Sequence, residues 1–532
     1  MAEHPGIRRW LARTAMVATV LAVSVAGSPS LPRGDAVPET VLRSVGVDLG
    51  SLVRPGPGLS VSTAAGTLRA AEPVRTARTR ACSPIWFDGM AFTWTQRAAG
   101  SAGDVQVRAA TGSDGRFGAV QTLEPEGGPD PGTAEYVGTE RGSQYLWTGG
   151  ATCARFSLVV PAGTEVGDLR VLFINSSGTA DGPGSASPDV GPVAAAPPQA
   201  PPGMQAAQAM TRRPRIITRE QWGANPKLMN CATWVAPFLK MGFVHHTAGS
   251  NAYSRAQADD VVRGIYAYHT NGRGWCDIGY NFLVDRYGDV FEGRSGGVTN
   301  NVVGAAQMGF NTGAFSVSMM GNFDVARPPR RAVRALERLV AWRLDVAHVN
   351  PRARTVMTSA GGSTTKYAAG TEVRLRTISG HRDTGLTACP GRYLYPLLPT
   401  VRSVVGRMGL PKIYGPRLSS GVLTSGVPGR LHIRAKSSGQ YRWRVTIQAP
   451  GGAPVARIRG ARSRLLDARW WTDGTLAAGA YRVLVETTGA VGRRARPVVL
   501  PLTVEPEPEP SPSPSPSPSP SPSPSPTVSP TP

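Results

Sequence analysis

The run GFVHHTAGSNAYSRAQADDVVRGIYAYHT, residues 242–270, changes its period halfway along. Its first part is a short apolar run ending in His245 and His246. Such a run reads as a buried strand, where successive side chains point to opposite faces, so only one of the two imidazoles can face a given site. Its second part has Ser254 where a helix N-cap belongs, followed by Val261, Val262, Ile265 and Tyr268 at helical spacing. A buried strand leading into an amphipathic helix predicts an α/β unit.

Working outward, RRAVRALERLVAWRLDVAH (330–348) repeats the helical signal through Val333, Leu336, Val340 and Leu344, while YNFLVD (280–285) and FSVSMMGNF (315–323) read as further buried strands. The mixture is confined to 214–410. Residues 82–176 hold short aromatic and alternating runs broken by Gly and Asp, which predict a β-rich module; 415–504 alternate again and suggest an immunoglobulin-like β-sandwich. Three segments lack such patterning. Residues 27–80 read as a flexible leader, 177–213 as a Pro/Ala/Gly linker, and 505–532 as a Ser-Pro repeat tail that buries almost nothing. The expected architecture is multidomain, a central α/β domain with a mixed sheet flanked by helices, joined to all-β modules and disordered Pro-rich segments.

Residues 1–26 have a basic start, an apolar run from about Thr14 to Val25 and small residues at Ser24 and Ala26, the pattern of a cleaved signal peptide. The apolar run is shorter than the roughly 20 residues needed to span a bilayer. Arg8–Arg9 suits a twin-arginine route. No later hydrophobic segment offers an anchor, so the expectation is a secreted, cell-wall-associated protein without a stable membrane anchor. The 58 basic residues against 35 acidic give a net charge of +23, a field that favours polyanions. With an export signal and no nucleic-acid motif, anionic cell-wall polymers fit better than nucleic acid.

An exported chain sits where cysteines pair. Of five, Cys82 and Cys153 fall in one region and Cys231 and Cys276 in the next, leaving Cys389 over, which marks it as a metal ligand or reactive thiol. Cys389 stands eight positions after His381 in SGHRDTGLTACPG (379–391). A hydrolytic zinc site needs three protein ligands and an open position, and imidazole and thiolate are both suitable donors. A third donor is available from the His245–His246 pair. Tyr280 can present a phenol to a water or an oxyanion. His269 reads as a structural helix-end residue, His246 as a packing residue, and Arg382–Asp383 as a local turn or ion pair.

Five motifs in order, PRIITREQWGA, FVHHTAG, GWCDIGYNFLVDRYGDVFEGR, GAAQMGFNTGAFSVSMMGNF and GHRDTGLTACPG, resemble the peptidoglycan recognition protein and type 2 N-acetylmuramoyl-L-alanine amidase family over about 200 residues. The resemblance implies a zinc amidase cutting the lactyl amide between N-acetylmuramic acid and L-alanine of the stem peptide. It places Zn²⁺ on His245, His381 and Cys389, and catalytic roles on Tyr280 and Thr387, the latter a position held by lysine in phage lysozyme-like amidases. Family members lacking the cysteine bind peptidoglycan without cutting it. One departure is Gly304–Ala305–Ala306, where many relatives read Gly-Ala-His. No motif positions a glutamate as proton donor to the leaving amine.

Overall fold

The computed structural model describes residues 37–53, 59–62, 66–98, 104–136, 138, 140–182, 210–489 and 492–507. Residues 1–26, expected to be a signal peptide, most of 177–213, expected to be a linker, and most of the Ser-Pro run 505–532 lie outside the described residues.

In the central domain five strands form one sheet, in the order Val290–Glu292, Phe282–Val284, Ala314–Met319, Met241–His246, Ile378–Gly380. The last four run parallel and the first is an antiparallel edge. Such parallel strands are buried on both faces, and here helices cover them: α1 (Ala258–Ala267) on one face, α2 (Arg330–Val346) and α3 (Leu398–Val405) on the other. The mixed, helix-flanked sheet is the one the sequence predicted. At the start of α1, Ser254 and Gln257 bond reciprocally, Gln257 N to Ser254 Oγ at 3.3 Å and Ser254 N to Gln257 Oε1 at 2.9 Å. That is a capping box, and the regular helix begins just after it.

Strand alternation separates the two histidines. Val244 packs with Leu336, Leu339 and Val401 on the α2/α3 face, and His246 shares that side, lying against Phe323. His245 turns the other way, 5.6 Å from Tyr280 between ring centroids.

The N-terminal module is wider than 82–176. Val41–Gly46 pairs in continuous register with Thr164–Asn175, and Thr67–Ala70 pairs with the same strand further along. The expectation of a flexible leader over 27–80 is therefore corrected for these residues. Strands of four to six residues are too short to show a period, yet Leu49, Leu52, Leu68 and Ala70 reach the module's core. The long strands Thr79–Ala98 and Leu146–Val160 complete its centre, stapled by the Cys82–Cys153 disulfide.

This module is not a separate bead. Ala91, Tyr145, Trp147, Leu172 and Ile174 from its outer face form one cluster with Val261, Val262, Ile265 and Tyr268 of the α1 region. Burying a large apolar side chain contributes about 1.5–3 kcal/mol and a hydrogen bond about 1 kcal/mol net. The apolar face therefore dominates the docking, and bonds such as Tyr268 Oη to Ser143 O, 2.6 Å, fix its register.

At the C-terminal end the strands over 413–505 form one six-stranded network rather than two separate hydrogen-bonded sheets. Gly429–Gln448 explains this. Its first half pairs with Ile413–Leu418 and its second half with Gly479–Thr488, with register shifts between Lys436 and Trp443 against Pro454–Thr472. A bulged strand can serve two faces of one core in this way. Asp345 near the end of α2 ties this module on through Arg496 at 3.5 Å and Lys412 at 3.9 Å.

Candidate metal centre and its cover

His245 is the last residue but one of the parallel strand Met241–His246, and His381 follows directly on the neighbouring strand Ile378–Gly380. Both therefore sit at the carboxyl ends of the sheet strands, where ligand sites collect in α/β folds. Cys389 returns to the same spot through the turn after His381: Arg382 N donates to Cys389 O at 2.9 Å and Gly385 N to His381 O at 2.9 Å. Asp383 sets that turn, accepting from Gly380 N at 3.0 Å and from Tyr395 Oη at 2.5 Å, while Arg382 lies over the Tyr395 ring. Gly385 is required under His381, since a Cβ there would stand 2.6 Å from Cδ2 of the ring.

The donor atoms of His245, His381 and Cys389 all lie within 4.8 Å of one another, and all three side chains are buried. His245 Nε2 is buried with no hydrogen-bond partner, an arrangement that costs about 1–3 kcal/mol unless something accepts the lone pair. Burial, with His381 and His246 nearby, pushes the His245 pKa far down, and burial brings His381 down to about 4. Both rings are neutral near pH 7, the form that ligates. Burial also raises the Cys389 thiol well above its ordinary value, partly offset by the bond from His246 N at 3.3 Å. Two neutral imidazoles, one of them with an unpartnered nitrogen, and a thiol in one pocket fit a thiophilic cation such as Zn²⁺.

Tyr280 and Thr387 flank this cluster. Neither hydroxyl is free. Tyr280 Oη donates to Glu126 Oε1 at 2.8 Å, and Thr387 Oγ1 donates to Glu124 Oε2 at 2.9 Å, an oxygen that also accepts from Ala388 N at 2.8 Å. His269, expected to be structural, bridges the two sides. Its Nδ1 accepts from Gly279 N at 3.0 Å, so the proton is on Nε2, which donates to Glu126 Oε2 at 3.1 Å. Burial alone would raise the Glu126 carboxyl; its pairing with His269, with Arg273 near by and the Tyr280 bond, holds it below its usual value.

Glu124 and Glu126 belong to the N-terminal module, in the segment EPEGGPDPGTAEY (124–136). Sequence reading missed them. The available signal was four carboxylates in thirteen residues of a strongly basic chain, which is visible in composition but says nothing of where the segment lands. His246 keeps its packing role, with Nδ1 accepting from Phe323 N at 3.2 Å. Ala306, at the departure from Gly-Ala-His, is buried in the cluster that includes Tyr145 and Tyr280. The Cys231–Cys276 disulfide braces the loop leading into Tyr280.

Residues 237–392 match the family model described as N-acetylmuramoyl-L-alanine amidase. The chain is 30% identical over 184 residues to peptidoglycan recognition protein 1 of Bos taurus, covering 34% of this chain and 82% of the relative. It is 29% identical over 180 residues to peptidoglycan-recognition protein SC2 of Drosophila melanogaster, again 34% and 82%. Among solved structures, human PGRP-IBETAC in complex with glycosamyl muramyl pentapeptide is 27% identical, with 35% of this chain and 96% of that one covered at a TM-score of 0.28.

Proposed function

Because the chain belongs to the peptidoglycan recognition protein and type 2 N-acetylmuramoyl-L-alanine amidase family, we propose that it is an exported, zinc-dependent amidase. It hydrolyses the lactyl amide between N-acetylmuramic acid and L-alanine of the peptidoglycan stem peptide. The observation that carries this reading is the cluster of His245, His381 and Cys389 with the cysteine intact as a thiol.

His245, His381 and Cys389 would hold Zn²⁺, which when bound supplies Lewis acidity and brings the pKa of a coordinated water to ~7. Strand ends and the Asp383-set turn hold the three side chains in place, so little reorganisation is needed on loading. The Tyr280 phenol orients the attacking water or donates to the carbonyl oxygen as negative charge develops there, and the Thr387 hydroxyl adds a second donor. Burial pushes the Tyr280 phenol well above its ordinary value, so it stays protonated and able to donate.

The net charge of +23 supports retention near anionic cell-wall polymers, a salt-screened attraction. Among the described residues no helix is long and apolar enough to cross a membrane. The deciding experiment is mass spectrometry of fragments released from purified peptidoglycan by zinc-loaded protein, with and without chelator. Chelator-sensitive release of free stem peptides is expected. A zinc-replete protein that releases none, under conditions where a control amidase works and after any cover has been opened, sinks the reading.

A further inference from the structure

We propose that residues 124–136 are an autoinhibitory strap: the N-terminal module lays this segment through the substrate groove of the central domain and holds the chain latent until the strap is displaced or cut.

Three observations carry it. The strap is buried from Pro125 to Asp130, whereas a surface connection of this length ordinarily runs in solvent. It lies on the metal centre itself: a Cβ built on Gly127 would stand 3.3 Å from Cε1 of His381, and Asn311 Nδ2 donates to Gly128 O at 2.9 Å. Glycine at 127 thus lets the backbone pass where a side chain would strike the Ala306 carbonyl or press on the metal-ligand ring.

Secondly, the strap ties off both hydroxyls assigned to chemistry, Tyr280 through Glu126 and Thr387 through Glu124. A phenol already donating to a carboxylate cannot donate to a substrate oxygen.

Thirdly, the strap imitates a stem peptide. It is a run of small residues bearing carboxylates, each held as a ligand carboxylate would be. Asp130 Oδ1 accepts from Gly309 N at 2.7 Å and from Asn311 Nδ2 at 2.8 Å. Glu135 pairs with the buried Arg294 at 2.5 Å and accepts from Cys276 N at 3.0 Å. The substrate proposed above is likewise a short peptide bearing free carboxylates, so strap and substrate compete for the same donors.

The hydrolytic readout rests on the amidase reading, so the test carries two readouts that do not. Three full-length forms are compared: the unaltered chain; E126Q/D130N/E135Q; and a chain with a site-specific protease sequence inserted between Gly132 and Thr133, before and after cutting. The first readout is the rate at which a disulfide reagent labels Cys389 in zinc-stripped, unreduced protein. The second is calorimetric affinity for a soluble muramyl peptide, and the third kcat/KM on the same compound. Opened forms are expected to label at least tenfold faster, bind at least tenfold tighter and hydrolyse at least tenfold faster. Labelling and binding that rise while nothing is hydrolysed uphold the strap and overturn the amidase reading. Equal values in all forms overturn the strap. So does hydrolysis by the unaltered chain that disappears on opening, because Glu124 and Glu126 would then be serving the reaction. The cut form decides the matter if the triple variant does not fold.

Discussion

The ring of Tyr145 lies against both Gly89 of its own module and Gly264 of α1, so closely that a Cβ on either glycine would collide with its hydroxyl. The two domains are therefore keyed together at one aromatic side chain. Gly264→Ala is expected to destabilise the protein by about 1–3 kcal/mol, the usual cost of overpacking a filled core, although alanine is intrinsically the better helix former. Urea unfolding monitored by tryptophan fluorescence checks this, and an unchanged or raised midpoint would falsify the keyed contact. Gly274→Ala, at a glycine with positive φ and open space around its Cβ, separates backbone strain from collision.

Cys389→Ser is expected to lower bound zinc by at least tenfold, because a serine hydroxyl is a poor ligand for a thiophilic cation. Metal content by plasma mass spectrometry reads this out independently of activity. Hydrolysis should vanish in the opened form while muramyl-peptide binding persists. Retained stoichiometric zinc would remove Cys389 from the ligand set.

Tyr280→Phe should leave zinc content unchanged and lower kcat of the opened enzyme by roughly 10²–10³, the usual loss of one preorganised oxyanion donor. A change confined to KM would instead place Tyr280 in ground-state binding. The same substitution removes a donor to Glu126, so in the unopened chain it should also speed Cys389 labelling.

Replacing Cys231 and Cys276 together by alanine removes a crosslink closing 45 residues of chain. A loss of about 2–4 kcal/mol is expected from chain entropy alone. Because Cys276 N also holds Glu135, strap opening should accompany it. Chemical denaturation and thiol labelling on one sample distinguish global from local loosening.

Asp260 on α1 has its pKa raised to about 7, chiefly by burial, with Arg263 opposing and Asp88 and Asp259 adding to it. For an acid raised in the folded state, the folded form takes up a proton that the unfolded form releases until its ordinary value of 3.8. This group therefore adds stability as pH falls from about 7 towards 4. Other carboxylates titrate over part of that range, so the informative quantity is a difference. The gap in melting temperature between wild type and Asp260→Asn should narrow or reverse in favour of wild type as pH drops from 8 to 5; a gap independent of pH would refute the raised value.

The parts of this molecule legible in the sequence are those fixed by local period or by residues close along the chain. Alternation placed His245 and His246 on opposite faces, and SGHRDTGLTACPG brought His381 and Cys389 together through one short turn. The two disulfides followed from regional counting. Long-range docking was not legible. Strands at 41–46 and 67–70 are too short to show alternation, and they are recognisable only through their register against Thr164–Asn175, more than ninety residues away. Likewise the acidic run 124–136 looks like an ordinary connection until the fold carries it across to His269, Tyr280 and Thr387. A segment's own sequence records its preferences, not its destination.

The N-terminal module precedes the central domain in the chain, and a chain is synthesised from its N-terminus. The strap is therefore made before the groove it fills, and its strands can pair before His245 or Cys389 has emerged. No stage of folding need present a finished, uncovered groove. The order of the two modules along the polypeptide thus acts as a timing device: the cover is in hand before there is anything to cover, and exposure of the site becomes a later, separate event.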